Sequence, residues 1–263
     1  MSTFDEAKNN YLLTTLPAYE FASVRQALER VSLTTGQVLH QSGYDFDYVY
    51  FPTTALITLL YLTESGTSVG VGMIGREGVL GIEIFMHADT ALSLAIVQNG
   101  GIAYRMKTDA FRAKCAAAPA CQATMLRYTQ ALFDQVSQAA VCNRFHTVQQ
   151  RFARWLLESS DRLGANRLTI THEQIAGSLG VQRSSISIAA HNLSSSGIIK
   201  VERGSVTILD RPGLELAACE CYKVVSDDYY RLLGQRIPRE HSDKPSQPCN
   251  SDIPESATFT TNL

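Results

Sequence analysis

The chain has 263 residues, with 23 Lys and Arg against 25 Asp and Glu, and 45% of its residues are hydrophobic. This is ordinary globular composition, which excludes a largely disordered chain, and the length suits two domains. No uncharged stretch exceeds 16 residues (Tyr48–Thr63 is one, with Pro52 inside it), short of the roughly 20 apolar residues that a bilayer helix needs.

The start, Met1-Ser-Thr-Phe-Asp-Glu, has neither a basic opening nor an apolar run, so no secretory signal is expected. The six cysteines (Cys115, Cys121, Cys142, Cys219, Cys221 and Cys249) are therefore expected as reduced thiols in a cytoplasm. The net charge of −2 hides an asymmetry. Residues 1–143 carry 9 basic and 12 acidic residues, residues 144–211 carry 9 and 5, and residues 212–263 carry 5 and 8. A polyanion partner is to be sought on the middle segment.

In chain order, the first 30 residues read as helical, with Phe21, Val24 and Leu28 on one face and Pro17 at a helix start. From Val31 to Met106 short β-rich runs alternate with Gly, Asn and Pro turns: Gln37–His40, Tyr48–Phe51, Leu56–Leu62, Ser68–Val71, Ala95–Val97 and Ile102–Tyr104. Their spacing leaves no room for crossover helices, so the pattern predicts an antiparallel barrel or sandwich. A helix over Thr108–Ala117 stops before Pro119, and a long one follows over Ala120–Thr147. Leu126, Phe133, Val136 and Ala140 form a narrow apolar stripe on it, with Leu132, Ala139 and Val141 beside it. Such a stripe suits a two-helix seam, with a core helix lying on its own barrel as the alternative. Cys142 reads as a seam residue. An amphipathic helix spans Val148–Leu163 and closes at Gly164. Two short strands flank Arg203-Gly204, and a further helix covers Gly213–Leu233. Arg239–Leu263, with Pro245, Pro248 and Pro254, reads as a disordered tail.

The most informative stretch is Thr171–Leu193. Thr171 and Gln174 make a capping box, and Ile170 and Ile175 stand at the two positions of a hydrophobic staple. Ala176 must be small where a second helix crosses, and Gly180 permits a positive-φ reversal. Ile175, Leu179, Val181 and Ile186 fill the wedge. This is a helix-turn-helix with Arg183–Leu193 as its second helix. Entering a DNA major groove, that helix would present Arg183, Ser184 and Ser187 to base edges. His191 would meet backbone phosphate, and Arg203 would reach phosphate from the tip of a β-hairpin wing. Thr171 and Gln182 complete the candidate DNA-binding set. A plain helical hairpin is the bland alternative; the capping box, the local charge and the following hairpin favour DNA.

Residues 10–235 resemble the Crp/Fnr family of bacterial transcription regulators. The resemblance rests on Leu33-Thr-Thr-Gly-Gln-Val-Leu, Ser42-Gly43, Tyr48-Val-Tyr-Phe, Leu168–Ala176, Leu179-Gly-Val and Gly197-Ile-Ile. The ending Arg203-Gly204, Ile208–Glu215 and Cys219-Glu-Cys-Tyr is similar to one branch of that family. The resemblance implies a cyclic-nucleotide-binding-type β-roll, a long dimerisation helix and a winged helix-turn-helix. Members that bind cyclic AMP hold its phosphate with a Gly-Glu pair and an Arg-Ser or Arg-Thr pair. Here no Arg or Lys lies between Arg76 and Arg105, so cyclic AMP is not expected as the effector. Arg76 could serve another anion, opposed by Glu77. In the recognition helix the positions where many members carry Glu and Arg appear as Ser184 and Ile188, so the relatives' operator does not transfer.

Gly70-Val-Gly72-Met-Ile-Gly75 fits a dinucleotide fingerprint, but no helical stripe follows it, and β-roll glycines explain it better. Cys219 and Cys221 read as inert buried thiols: two apart on a helix they diverge, and no other Cys or His stands at ligand spacing. A haem ligand among His40, His87 and His146 stays open. No constellation implies catalysis.

The expected fold is α+β: residues 1–119 an antiparallel β-roll or jelly roll with flanking helices, 120–147 the long dimerisation helix, 148–237 the winged helix-turn-helix and 238–263 the tail. The expected partners are double-stranded DNA, a second copy of the chain and RNA polymerase, with no membrane, no metal and no cofactor. A ligand-binding signalling module without DNA binding is the alternative; an enzyme resting on the glycine pattern is a weaker one.

Overall fold

A computed structural model of the chain describes residues 6–64 and 66–234; the tail expected from 238 lies outside them. After a short 3-10 turn come α1 (Tyr11–Thr14) and α2 (Ala18–Arg25). Seven antiparallel strands follow: β1 (Glu29–Leu33), β2 (Val38–His40), β3 (Tyr48–Pro52), β4 (Leu56–Leu62), β5 (Ser68–Ile74), β6 (Leu94–Asn99) and β7 (Gly101–Lys107), with the short α3 (Ile82–Phe85) between β5 and β6. They form two sheets, ordered β1-β7-β3 and β2-β6-β4-β5, which is the β-roll the spacing predicts. Its core joins Val49, Phe51, Ile57 and Val97 of the sheets to Phe111, Met125 and Tyr128 of the helices that follow.

The first helix ends at Arg25, five residues earlier than its periodicity predicts, because Glu29–Leu33 is recruited as an edge strand on β7. Glu29 lies opposite Arg105 there, and the two side chains form a two-point ion pair at 2.8 and 3.0 Å. Strand pairing with distant residues overrides a local helical pattern.

Next come α4 (Thr108–Ala116) and the 27-residue α5 (Pro119–Phe145), with Pro119 at its first turn. The core reading of this long helix holds on one face, and the apolar stripe lies exposed on the other. Cys121, Met125, Tyr128, Ala131 and Gln135 are buried against the chain's own β-roll. Leu126 (61% exposed), Phe133 (66%) and Val136 (37%) face outward. Cys142 belongs to neither stripe; it is fully buried against Cys219, so its place as a seam residue is corrected.

The C-terminal part comprises α6 (Val148–Leu163), β8 (Arg167–Thr169), α7 (His172–Leu179), α8 (Arg183–Ser195), β9 (Ile199–Glu202), β10 (Ser205–Ile208), α9 (Arg211–Ala217) and α10 (Cys221–Leu233). The wing is a three-stranded sheet in the order β8-β10-β9; the sequence pattern shows only its last two strands. The single helix expected over Gly213–Leu233 is two helices, broken at Ala218–Glu220. Asp210 caps the first by accepting from the Gly213 N–H, and Ala218 is extended. Cys219 therefore precedes α10 instead of sharing a helix with Cys221, and the argument that their side chains diverge falls.

The winged domain sits directly on the β-roll. A Cβ on Gly70 would lie 2.6 Å from the Ser178 carbonyl oxygen, and one on Gly75 would lie 2.7 Å from Arg162 Cβ. The glycine run is thus the seat on which α6 and α7 rest, and the next helix, the one-turn α3, starts only at Ile82 and not at the end of the run. Gly70→Ala is expected to push α7 off β5 at a cost of about 1–3 kcal/mol. By contrast, Gly177→Ala meets Ser68 Oγ at an ordinary 3.4 Å and is expected to be neutral or stabilising by about 0.4–1 kcal/mol. Urea unfolding midpoints of the two variants check the ordering.

A candidate nucleic-acid interface

The helix-turn-helix is built by local signals that can be followed atom by atom. Thr171 Oγ1 accepts from the Gln174 N–H at 3.3 Å, and Gln174 Oε1 accepts from the Thr171 N–H at 2.9 Å, closing the capping box. Gly180 ends α7 in the left-handed region (φ 61°), with its N–H on the Ala176 carbonyl. Any residue with a Cβ would be strained at that φ. Ile170, Ile175, Ala176, Leu179 and Ile186 are all buried, and they pack on Phe152, Trp155 and Leu156 of α6. Ala189, Ala190 and Leu193 complete the buried face of α8.

The opposite face of α8 is free. Gln182, Arg183, Ser184, Ser187, Ile188 and His191 are exposed, as are Thr171 and Arg203. Gln182 stands at the N-cap without using its side chain to cap. Its amide is therefore available beside the backbone N–H groups at the helix start, where an anionic phosphate is favoured. Ser187 is less open than its exposure suggests. Its hydroxyl donates to the Arg183 carbonyl at 3.2 Å and lies 3.1 Å from His172 Nδ1. Arg183, His172, Thr171 and the wing residues Arg203 and Gly204 line one groove, so the leading end of α8 and the wing tip converge on the same surface.

Two further residues belong beside the set: His172, which only the structure brings in, and Ile188, named above as a recognition-helix position. His172, first in α7, ties the two helices together through Ser187. Burial and the nearby Arg183 guanidinium hold its pKa below the usual histidine value, which favours the neutral ring. Ile188 is a large apolar side chain, 64% exposed, on the open face of α8 beside Ser184 and Ser187. Its exposure on an otherwise amphipathic helix could have been read from the sequence.

The charge argument is corrected by burial. Of the basic residues counted between 144 and 211, Arg151, Arg154 and Arg162 are buried and Arg211 is tied to Asp161 at 2.6 Å and Glu215 at 3.2 Å. Arg167 and Lys200 share Glu202 on the wing. The positive surface is carried by fewer groups than the count suggests, chiefly Arg183 and Arg203 at the groove. Arg76 likewise serves structure. Its guanidinium donates to the Asp161 carbonyl at 2.9 Å, and Glu77 turns away from it to pair with Arg162 at 2.9 Å.

Residues 150–217 match the Crp-like helix-turn-helix domain family. This segment is a Crp-like helix-turn-helix, and the chain is a DNA-binding regulator. The regulator's fold agrees along most of its length. A Crp/Fnr-family putative transcriptional regulator from Eubacterium rectale is 19% identical with a TM-score of 0.61, covering 79% of this chain and 98% of that one. FixK2 from Bradyrhizobium japonicum is 16% identical with a TM-score of 0.64, covering 73% and 98%. The c-di-GMP-responsive regulator CLP from Xanthomonas campestris is 14% identical with a TM-score of 0.60, covering 73% and 99%. No curated protein sequence matches the regulator. Among the described residues none of its helices is long and apolar enough to cross a membrane.

Proposed function

We propose that the regulator acts as a homodimer on a two-fold-related operator in cytoplasmic DNA, by binding and not by catalysis. The observation that carries this is the outward stripe of Leu126, Phe133 and Val136 on the same long helix that connects the β-roll to the DNA-binding domain. Pairing two such helices buries the stripe and sets two copies of α8 side by side. A productive pair needs the two reading helices about 34–36 Å apart, one turn of DNA.

In this reading Arg183 contacts guanine through both of its acceptors, Ser184 and Ile188 read neighbouring base edges, and Gln182, His191 and Arg203 hold phosphate. The β-roll responds to an effector other than cyclic AMP, or serves only as the dimer scaffold. Two features speak against cyclic AMP. No Arg or Lys stands between Arg76 and Arg105, and the Glu77 carboxylate is committed to Arg162 within a buried pair. An effector would act by favouring one arrangement of the long helices over another.

Selecting bound fragments from genomic DNA and titrating the selected site against salt tests the reading. Arg183→Ala is expected to cost about 1–3 kcal/mol on the selected site and to relax preference at one base pair. Arg203→Ala is expected to weaken all sequences alike and to reduce the salt slope by about one. Equal losses on every sequence for both variants would make Arg183 a phosphate contact. Affinity indifferent to salt would remove the DNA reading altogether.

A further inference from the structure

The junction of α5 and α10 encloses four donor side chains that DNA recognition does not use. Cys142 and His146 stand one turn apart at the end of α5, and Cys219 and Cys221 stand just before and at the start of α10. The three sulfurs and a ring nitrogen of His146 all lie within 4.8 Å of one another. Cys142 Sγ is 3.5 Å from Cys219 Sγ, and Cys221 Sγ is 3.5 Å from His146 Nδ1. A tetrahedron with metal–sulfur bonds of about 2.3 Å and a metal–nitrogen bond of about 2.0–2.1 Å has edges of about 3.5–3.8 Å. Two donor pairs stand at that separation and all four donors lie within 4.8 Å of one another, so a small closure brings them onto the shell of a single ion. They are too far apart for a disulfide, whose sulfurs lie about 2.05 Å apart.

The surroundings fit an ion as well. His146 turns its other ring nitrogen, Nε2, to Glu220 Oε1 at 3.1 Å, the carboxylate–histidine arrangement that orients a metal-binding imidazole. Gln138 Nε2 donates to Cys221 Sγ at 3.0 Å. Three thiolates and a neutral histidine around a divalent cation leave one negative charge. The buried guanidiniums of Arg151 and Arg154 are near enough to act on the charge at Cys142. Cys142, Cys219 and Cys221 are themselves buried. The other close thiol pair, Cys115 and Cys121, gathers no further donors of this kind among the described residues.

We infer that Cys142, His146, Cys219 and Cys221 bind one zinc ion in a closed tetrahedral site. The soft, mixed sulfur and nitrogen set favours zinc among divalent ions, and four protein ligands leave no open position for catalysis. Binding displaces the thiol protons and adds its free energy to folding. The ion fastens the last turn of α5 to α10 beside His146-Thr147, the link from the long helix into α6. The angle at which the DNA-binding domain leaves that helix is thereby fixed. The inference stands independently of which DNA the regulator reads.

The test uses the full chain, purified under reducing conditions. Metal analysis is expected to find one zinc per chain. Cobalt(II) added to reduced, zinc-stripped protein is expected to give the intense visible bands of a tetrahedral thiolate site, and zinc to bleach them. Cys219→Ser is expected to abolish both, and Cys115→Ser to leave both intact. Glu220→Ala, which keeps all four ligands, is expected to weaken zinc binding about 10–100-fold. This variant and the wild-type cobalt spectrum decide the matter even where Cys219→Ser does not fold. The inference is overturned by a wild-type chain that neither contains nor takes up metal, by a six-coordinate cobalt spectrum, or by iron with acid-labile sulfide. Loss of metal in Cys115→Ser as complete as in Cys219→Ser, or unaltered zinc affinity in Glu220→Ala, overturns it equally.

Discussion

Replacing Arg162 by Met is expected to destabilise the regulator by about 3–5 kcal/mol, the range for breaking a buried ion pair. Arg162 is 1% exposed. It pairs with Glu77 of the β-roll at 2.9 Å, bonds Gln135 of α5, and donates to the Glu158 carbonyl at 3.3 Å. Gln135 Oε1 in turn accepts from Tyr229 of α10 at 3.2 Å. One guanidinium thus joins the β-roll, the long helix and the DNA-binding domain. Its removal leaves the Glu77 carboxylate buried without its cation, which costs far more than the intact pair contributes. The companion variant Glu77→Leu with Arg162→Met removes both charges and is expected to recover most of the loss. Urea unfolding of the four proteins in this cycle measures the coupling directly. A loss below about 1 kcal/mol for Arg162→Met, well short of the range for a broken buried pair, would mean that water reaches this pair and that the domains are not locked together there.

Phe133→Asp is expected to convert the regulator from dimer to monomer and to lower affinity for its full operator by about 100-fold or more. Phe133 is the most exposed member of the α5 stripe, seven residues from Leu126 and three from Val136. In the proposed dimer, a carboxylate at that position would face its own counterpart across a two-fold axis in an apolar seam. Unpaired buried charge of this kind is strongly disfavoured. Because two linked half-site contacts reinforce each other by about 10²–10⁴, losing the pair costs more in DNA affinity than Arg183→Ala does. Light scattering gives the mass and fluorescence anisotropy gives the affinity. A Phe133→Asp protein that remains dimeric at micromolar concentration would place the interface elsewhere.

The two variants also separate two roles of α5. Arg162→Met disturbs the face that packs inward and is expected to leave the dimer seam intact. Phe133→Asp touches only the outward face and is expected to leave protomer stability within about 0.5 kcal/mol, the usual range for surface changes.

Much of the DNA-binding domain was legible residue by residue. The cap Thr171 with Gln174, the reversal at Gly180 and the stop at Gly164 each act through the backbone within a few residues. Such signals do not depend on what lies across the molecule, so the ends of α6 and α7 fall where the pattern puts them. The β-strands likewise follow their alternating runs. β1 and β8 were missed because each is short and becomes a strand only through its partner, β7 or β10.

The sequence by itself therefore determined the order of the parts: a β-roll, a long helix, and a helix-turn-helix with its candidate DNA-binding residues exposed on the outer face of α8. Their physical causes are local capping, hydrophobic period and backbone freedom. Only the tertiary structure decided which arginines are spent indoors, why Gly70 and Gly75 must lack a Cβ, and that Cys142 and His146 meet Cys219 and Cys221. These pairings join residues 77 to 108 positions apart between Gly70 and Ser178, Glu77 and Arg162, or Cys142 and Cys219. Side chains that far apart along the chain share no backbone geometry, and they come together only when apolar burial folds one domain onto the other.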